Sequence, residues 1–374
     1  MRVWFAGGGT GGHLYPGLAI ARAMIAEDPA VRPFFVGARR GIERELLPKE
    51  GFPYELLDLH PLYRSRPWDN WKTARGMLSA WRRLRALAAE QRPSLIVGTG
   101  GYGAALALAY GVANRIPIVL QEANSHPGLT VRLFARFARS VYLGFPEAAQ
   151  MLKGAKGALL DTGCPIVPPP AVRPDRGAAR EAWGFPRQGG RVVLIFGGSQ
   201  GARGLNAVVA DWVRAGIPRD THVIWGTGRT EHAELSSLQS DHVRIRPYLS
   251  PITEAYAAAD LAITRAGAMT TAELCAWGIP MILIPLPTAA ADHQSENAKS
   301  LHSAGAAIHV PQSGLTALML DAIARNVLDD PARLAALAGG ARGRARPEAA
   351  REIARDALEV MLRGSAHRST PPLY

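Results

Sequence analysis

The sequence predicts an α/β fold with two domains, each built on a mostly parallel sheet flanked by helices. Three observations support this prediction. Short β-branched runs alternate with helix-like segments of about ten to twenty residues, as in repeated strand–helix–strand units. The chain has 374 residues, too many for one typical domain. A proline-rich break falls near its middle, and the order of strand, glycine-rich turn and helix then restarts.

The predicted strands form one set in each half of the chain. The first set is Val3–Ala6, Pro33–Val36, Tyr54–Leu57, Leu95–Val97, Ile118–Leu120 and Val141–Leu143. The second set is Val192–Phe196, Val223–Trp225, Val243–Ile245, Leu261–Thr264, Met281–Ile284 and Ala307–Val310. Their alternation with helical segments is typical of Rossmann-like domains.

The domain boundary is predicted within the run Cys164–Pro170, because its prolines cannot continue a helix or a central strand. We therefore expect an N-terminal domain over residues 1–165 and a C-terminal domain over 166–345. Residues 346–363 are expected to form a C-terminal helix that packs back on the N-terminal domain. Residues 364–374 are expected to be a disordered tail.

The net charge of +12 predicts an anionic partner: nucleic acid, acidic lipid or a phosphate-bearing substrate. No nucleic-acid-binding module is recognisable, so we expect no nucleic-acid partner. Cys164 and Cys275 stand far apart and match no metal or disulfide pattern. No transmembrane helix or signal peptide is expected, which fits a cytoplasmic protein, and neither is a cofactor.

Three glycine-rich turns, Gly7–His13, Gly98–Gly103 and Gly197–Gly204, each follow a predicted strand and precede a helix. Glycine lets the backbone approach a ligand closely, and the helix start offers free N–H groups and a partial positive charge. Ligands of open α/β sheets bind at these strand ends. One such turn is often only a tight connection, whereas three, divided between two halves, indicate phosphate or sugar binding.

The first turn also matches the dinucleotide-binding pattern G-x-G-x-x-G through Gly7, Gly9 and Gly12. Such a site should have an acidic residue at the end of the second strand, where this chain has Val36–Arg40. An oxidoreductase in which Arg39 binds a 2′-phosphate therefore stays open as a disfavoured alternative.

Two interpretations are open for Glu273, which follows the strand Leu261–Thr264. Its carboxylate could accept two hydrogen bonds from a ribose diol. Thr270 and Glu273 also have the T-x-x-E spacing of a capping box, with Thr270 as the N-cap and Glu273 in the first helical turn. Spacing alone favours the cap. The run Asp292–Asn297 could likewise bind sugar hydroxyls or be an ordinary polar helix start.

Five motifs together resemble the MurG family of peptidoglycan N-acetylglucosaminyltransferases. They are Gly8–His13, Gly100–Tyr102, Gly197–Ala202, Arg265–Ala268 with Glu273, and His293–Ala298. The resemblance covers roughly residues 3 to 310. It implies a GT-B fold, with two Rossmann-like domains facing a cleft. It also implies inverting transfer of N-acetylglucosamine from UDP-GlcNAc to the C4 hydroxyl of muramyl-pentapeptide on undecaprenyl diphosphate, the step from lipid I to lipid II.

The resemblance implies where the two substrates bind. Glu273 would hold the ribose hydroxyls, and the backbone of Leu249 would border uracil. The expected donor contacts are Thr10, Gly11, Gly12, Asn124, Ser199, Leu249, Ala268, Met269, Thr270, Glu273, Gln294 and Asn297. The acceptor diphosphate is expected at Gly9, Thr10, Gly100, Gly101 and Tyr102. The arginine that often ends the family's interdomain motif is replaced by Val167, with Arg173 nearby, and Gln121 stands where a histidine often occurs.

His13 is the leading candidate for the general base, since histidine accepts a proton near neutral pH. It could instead cap the helix or bind acceptor phosphate as a cation. Glu122 is the second candidate, with a buried structural carboxylate as its alternative role. The sequence contains no Asp-x-Asp pair of the kind that carries a metal ion in many transferases. Helix N-termini and backbone N–H groups are therefore expected to stabilise the departing UDP.

The segment Leu62–Arg85 combines aromatic and basic residues, which suits an anionic membrane surface. The expected membrane contacts are Trp68, Trp71, Arg75, Leu78, Trp81, Arg82 and Arg85. The protein is thus expected to be peripheral at the cytoplasmic face of the cell membrane. In the alternative interpretation, Met77, Trp81 and Leu84 form a core-facing stripe and the arginines are merely solvated.

Three other functions stay open. A related GT-B enzyme could glycosylate another lipid, and a UDP-sugar epimerase could share the donor half. A nucleotide-binding module without catalytic activity is the third.

Overall fold

The computed structural model describes residues 1–59, 70–198 and 201–366. For residues 70–75 and 364–366 it describes the backbone alone. The chain forms two compact units, Met1–Val167 with the stretch from Glu348 onward, and Pro168–Pro347. Each unit has one parallel sheet flanked by helices, so the predicted α/β fold with two Rossmann-like units is confirmed.

The sheet of the first unit contains seven parallel strands in the order β3-β2-β1-β4-β5-β6-β7. The strands are β1 (Arg2–Gly7), β2 (Arg32–Ala38), β3 (Tyr54–Leu57), β4 (Leu95–Gly100), β5 (Ile118–Glu122), β6 (Ser140–Leu143) and β7 (Ala158–Leu160). The helices are α1 (Gly11–Glu27), α2 (Glu43–Glu50), α3 (Asn70–Gln91), α4 (Tyr102–Ala113) and α5 (Leu129–Phe134). The edge strand β7 is an addition to the six strands expected from the sequence, since its three residues carry too short a pattern to recognise.

The sheet of the second unit contains six parallel strands in the order β10-β9-β8-β11-β12-β13. The strands are β8 (Arg191–Phe196), β9 (Thr221–Gly226), β10 (Val243–Arg246), β11 (Leu261–Thr264), β12 (Met281–Leu283) and β13 (Ala307–His309). The helices are α6 (Arg176–Ala182), α7 (Arg203–Ala215), α8 (His232–Leu235), α9 (Ile252–Ala258), α10 (Ala268–Trp277), α11 (His293–Ser303), α12 (Ala317–Leu328) and α13 (Pro331–Gly343).

The final helix, α14 (Ala349–Ala366), belongs to the first unit. Ile353, Ala354, Ala357 and Met361 are fully buried in the cluster that also contains residues of α1 and the inner strands. The helix extends to Ala366, so the expectation of disorder from residue 364 is wrong for its first three residues. Residues 367–374 lie outside the described chain.

Each sheet has one switch point, where the direction of strand addition reverses. It falls between β1 and β4 in the first unit and between β8 and β11 in the second. The chain leaves these neighbouring strands in opposite directions, which opens a crevice at their carboxyl ends. In the first unit, the glycine-rich turns after β1 and β4 lie at these ends. In the second unit, the turn after β8 and the Arg265–Gly267 turn after β11 do so. Among the described helices, none is both long and apolar enough to cross a membrane.

Candidate active site

The glycine-rich turns after β1 and β4 touch each other at the switch point of the first unit. A Cβ atom at Gly101 would lie 2.2 Å from the carbonyl oxygen of Gly8, and the φ of Gly101 is +75°. Both facts require glycine at position 101. The ring of Tyr102 lies against Gly9, whose own Cβ would be 3.0 Å from ring atom Cε1. The residues expected at the acceptor diphosphate are thus brought together.

The helices that begin at the switch points have no side-chain caps. The N-cap residues of α1, α4, α7 and α10 are Thr10, Gly101, Ala202 and Gly267, and none of them caps its helix through a side chain. Away from the switch points, α6, α12 and α13 are capped by the side chains of Asp175, Thr316 and Asp330, whereas α2, α5, α8, α9 and α11 have no side-chain cap either. Uncapped first turns leave N–H groups that can bind an anion.

His13 lies between the two turns of the first unit. Its Nδ1 is 3.2 Å from the hydroxyl of Thr10, and its backbone carbonyl accepts a hydrogen bond of 2.7 Å from the hydroxyl of Thr99. Cβ atoms at Gly100 and Gly101 would lie 2.9 and 3.1 Å from its ring, so the imidazole rests on both glycines. This position suits a base or a phosphate-binding cation equally.

Glu43 is a candidate that the sequence analysis missed. The residue is 0% exposed and lies beneath the first turn. Its Oε1 accepts hydrogen bonds from the backbone N–H groups of Gly9 (3.0 Å) and Ala38 (3.2 Å), whereas Oε2 has no partner among the described residues. Gly9 therefore shapes the expected diphosphate site, but its N–H group is already engaged.

Glu122 supports the loop that carries Asn124. Its Oε1 accepts from the backbone N–H of Asn124 at 2.9 Å, and its Oε2 accepts from that of Gly128 at 2.8 Å. Burial raises the pKa of Glu122, while these hydrogen bonds oppose the rise. Both carboxylate oxygens of Glu122 thus accept hydrogen bonds from backbone N–H groups, which favours the structural role over the catalytic role.

The turn after β11 corrects the expectation of a capping box. α10 begins at Ala268 with Gly267 as its N-cap, so Thr270 lies inside the helix and Glu273 lies beyond the first turn. The φ and ψ of Gly267 are those of an N-cap residue, and glycine is accepted there. The carboxylate of Glu273 is therefore available for another role.

Glu273 is paired with a residue that the sequence analysis did not consider. The hydroxyl of Tyr256, on α9, donates a hydrogen bond of 2.7 Å to Glu273 Oε2. Burial raises the pKa of Glu273, and the hydrogen bond from Tyr256 partly opposes this effect. The half-buried carboxylate lies in α10, the helix that begins at the switch point of this unit.

Polar side chains tie the surrounding turns of the second unit together. Arg265 donates to the carbonyl oxygens of Ile284 and Pro285, each at 3.0 Å. Gln294 Oε1 accepts from the N–H of Leu286 at 2.9 Å, which leaves its amide nitrogen to donate. Asn297 is 0% exposed, and its side-chain amide donates a hydrogen bond of 3.1 Å to the carbonyl oxygen of Ala266. Asn297 therefore stabilises the turn before α10 from the buried side.

The remaining candidates for donor contacts lie in different parts of the structure. Leu249 is buried against Gly226 at the end of β9, whereas Ala268, Met269 and Thr270 form the first turn of α10. Ser199 lies outside the described residues. Arg173 does not reach this end of α10. It donates instead to the carbonyls of Ala276 and Trp277 at the opposite end, so it does not replace the family's arginine.

The expected membrane helix, α3, is partly core and partly surface. Ala80, Leu84 and Leu87 are buried, and Trp81 packs partly buried against the same cluster, 5.4 Å from the ring of Tyr110. Leu78 (55% exposed), Met77 (47%), Arg82 and Arg85 face solvent. The core-stripe alternative is thus wrong for Met77. Trp68 lies outside the described residues, as do the side chains of Trp71 and Arg75.

Two family models match the two units. Residues 3–143 match the glycosyltransferase family 28 N-terminal domain, and residues 192–353 match the family 28 C-terminal domain. A Salinibacter ruber protein is 37% identical over 366 residues, which cover 96% of each chain. Its name is UDP-N-acetylglucosamine--N-acetylmuramyl-(pentapeptide) pyrophosphoryl-undecaprenol N-acetylglucosamine transferase. The chain belongs to the MurG family of glycosyltransferases. A Symbiobacterium thermophilum relative of the same name is 38% identical and covers 95% of each chain.

Solved structures show that this MurG family member has the GT-B fold. The crystal structure of Acinetobacter baumannii MurG has a TM-score of 0.77 at 24% identity and covers 96% of this chain and 99% of that one. CalG4, the calicheamicin glycosyltransferase, has a TM-score of 0.66 at 16% identity and covers 99% of both chains. Among the described residues, His, Cys, Asp and Glu form no cluster that could hold a metal ion.

Proposed function

We propose that this enzyme transfers N-acetylglucosamine from UDP-GlcNAc to the C4 hydroxyl of muramyl-pentapeptide on undecaprenyl diphosphate, with inversion at the anomeric carbon. The relatives named for this reaction match nearly the whole chain. The observation that carries the proposal is that α1, α4, α7 and α10 all begin without side-chain caps at the switch points of the two sheets, two helices in each unit. Helix starts of this kind in both units would give each of two diphosphate-bearing substrates an anion site of its own.

The first unit would bind the acceptor. The N-termini of α1 and α4 would receive its diphosphate, with Thr10, Gly100 and Tyr102 around it. The acceptor C4 oxygen would attack the anomeric carbon of the donor as the bond from that carbon to UDP breaks. His13 would take the hydroxyl proton, a role supported by its position on both glycine turns.

The second unit would bind the donor. Glu273 would accept hydrogen bonds from the ribose hydroxyls, and the backbone of Leu249 would border uracil. The amides at the start of α10 would stabilise the negative charge that develops on departing UDP. The side-chain oxygen of Gln294 already accepts a hydrogen bond from Leu286, so its amide N–H groups would donate hydrogen bonds to the sugar.

The enzyme would meet its lipid-linked acceptor at an anionic, cytoplasmic membrane surface. We define the basic–apolar surface as Met77, Leu78, Arg82 and Arg85 of α3. Two exposed large apolar side chains beside two exposed arginines suit the bilayer interface.

On α5 and the turn after it, Leu129, Leu133 and Phe137 are also exposed, with arginines at positions 132 and 136, so α5 supplies a second such stripe.

The decisive experiment incubates the protein with UDP-GlcNAc and a lipid I analogue and analyses the products by mass spectrometry. The expected products are UDP and a disaccharide-bearing lipid. UDP and free sugar formed without acceptor would indicate the epimerase alternative, and preference for another lipid would indicate a related transferase. Binding without any turnover would leave a nucleotide-binding module.

The same assay tests the expected independence from metal. Because the sequence has no Asp-x-Asp pair, turnover should be unchanged by EDTA. Complete loss of turnover in EDTA with recovery on adding Mg²⁺ would contradict stabilisation of UDP by helix N-termini.

A further inference from the structure

We infer that Tyr256 is a positioning residue for the donor, because its hydroxyl holds the carboxylate of Glu273 in the orientation and charge state that a ribose diol requires. This inference rests on the proposed function, since it deepens the role of Glu273 in the donor site. Tyr256 is separated from Glu273 by seventeen positions, and no spacing in the sequence links the two residues.

The geometry of Tyr256 leaves its hydroxyl little freedom. The residue is 3% exposed, and its ring contacts those of Phe196 (6.4 Å between centroids) and Trp277 (5.7 Å). With the ring fixed in this way, the hydroxyl is directed at Glu273 Oε2, 2.7 Å away. This hydrogen bond restricts rotation of the carboxylate and uses one lone pair of Oε2, so Oε1 and the second lone pair of Oε2 remain to accept the two ribose hydroxyls.

The same contact acts on the charge of Glu273. Burial raises the pKa of Glu273, and the hydrogen bond from Tyr256 lowers it. Burial and the neighbouring carboxylate raise the pKa of Tyr256, so the phenol keeps the proton that it donates. The ionised form of Glu273 is lost as the pH falls through its raised pKa, and donor affinity should fall with it.

The other ionisable groups near this pair act at a distance. Tyr248 influences Tyr256 rather than Glu273. Helix α13 also packs on α10, and there Arg342 lies beside Gly278 while Arg344, the C-cap residue of α13, acts on Cys275, both at the far end of α10. Among the residues that the structure describes, Tyr256 is the titratable group that donates a hydrogen bond to Glu273.

The first unit offers a matched control. The hydroxyl of Tyr142 donates to Asp356 Oδ2 at 2.8 Å, and Tyr142 is also buried. This pair joins β6 to α14 and takes no part in the proposed donor site. Tyr142→Phe therefore removes the same chemical contact without touching donor binding.

The test measures UDP-GlcNAc affinity by calorimetry between about pH 5 and pH 8 for wild type, Tyr256→Phe, Tyr142→Phe and Glu273→Gln. Tyr256→Phe should weaken binding at neutral pH about 3- to 30-fold and move the acid limb of the affinity profile to higher pH. Tyr142→Phe should match the wild type in both respects. Glu273→Gln should abolish the acid limb, and adding Tyr256→Phe to it should shift nothing further in pH.

The outcomes distinguish failure of the inference about Tyr256 from failure of the proposed function. A Tyr256→Phe profile with the wild-type acid limb would overturn the inference alone. Should that variant fail to fold, an acid limb that persists in Glu273→Gln would overturn it instead. Wild-type protein that binds no UDP-GlcNAc would overturn the proposed function, and this inference with it.

Discussion

His13 is the residue on which the proposed chemistry depends most. As the general base, it should account for a factor of about 10²–10⁴ in turnover. His13→Ala should therefore lower kcat by that factor in the transfer assay, while UDP-GlcNAc affinity stays near the wild-type value. A raised KM for the acceptor with nearly normal kcat would instead identify His13 as a phosphate-binding cation.

Glu43 should be essential to the shape of the first glycine-rich turn. Glu43→Ala would leave the amides of Gly9 and Ala38 unpaired in a buried site, at a cost of about 1–3 kcal/mol each. Glu43→Gln keeps one carbonyl-type oxygen for both amides and should be much less damaging. Thermal unfolding and the KM for the acceptor should both rank the variants in this order. Equal effects of Ala and Gln would show that the charge matters, and not the hydrogen bonds.

The sequence predicted positions at this scale better than it predicted contacts. It located His13 and Gly101 in turns at strand ends and Glu273 in the segment that follows β11, because glycine and polar residues after a buried strand form a recognisable pattern. It could not pair Glu273 with Tyr256, since that contact depends on how α9 packs against α10. It also overlooked Glu43, whose only local signal is an acidic residue at the start of a helix.

At the scale of elements, strands were predicted well because alternating βα units have a strong apolar signature. Helix starts were less certain: the spacing of Thr270 and Glu273 imitates a capping box, whereas the N-cap of α10 is Gly267, three residues before Thr270. The apolar pattern of α3 likewise could not separate core from surface. Its buried positions are Ala80, Leu84 and Leu87, whereas Met77 is exposed.

The basic–apolar surface of α3 leads to a prediction about membrane binding. The protein should bind anionic vesicles, and binding should weaken as salt screens the attraction. Arg82→Glu with Arg85→Glu should reduce vesicle co-sedimentation strongly, since each cation near anionic lipid contributes about 1 kcal/mol. UDP-GlcNAc affinity should persist, because the proposed donor carboxylate lies in the other unit.

A charge-matched control separates this effect from a change in net charge. Arg214 and Arg333 are exposed in the second unit, and their replacement by Glu alters the total charge equally. That double variant should bind vesicles as the wild type does. Equal losses in both double variants would mean that overall charge, and not α3, drives the association.

At the scale of the whole molecule, the chain returns to its first unit at the end. Composition and length predicted two domains, and the proline run predicted a boundary near residue 166, close to the division after Val167 in the structure. The helix expected over residues 346–363 is α14, which belongs to the first unit. Its amphipathic pattern shows that one face is buried, but no local pattern says which unit buries it.

The packing of α14 should therefore control the stability of the first unit. Ile353 and Met361 are fully buried against it, and each change to Ala should cost about 2–5 kcal/mol. Leu362→Ala is the matched control, because Leu362 is 55% exposed on the same helix. Hydrogen exchange should accelerate in β1 and β6 of the Ile353→Ala and Met361→Ala variants, while β8 and β11 of the second unit keep their protection. Exchange that accelerates equally in both sheets would show that the two units unfold together, and α14 would then stabilise the molecule as a whole.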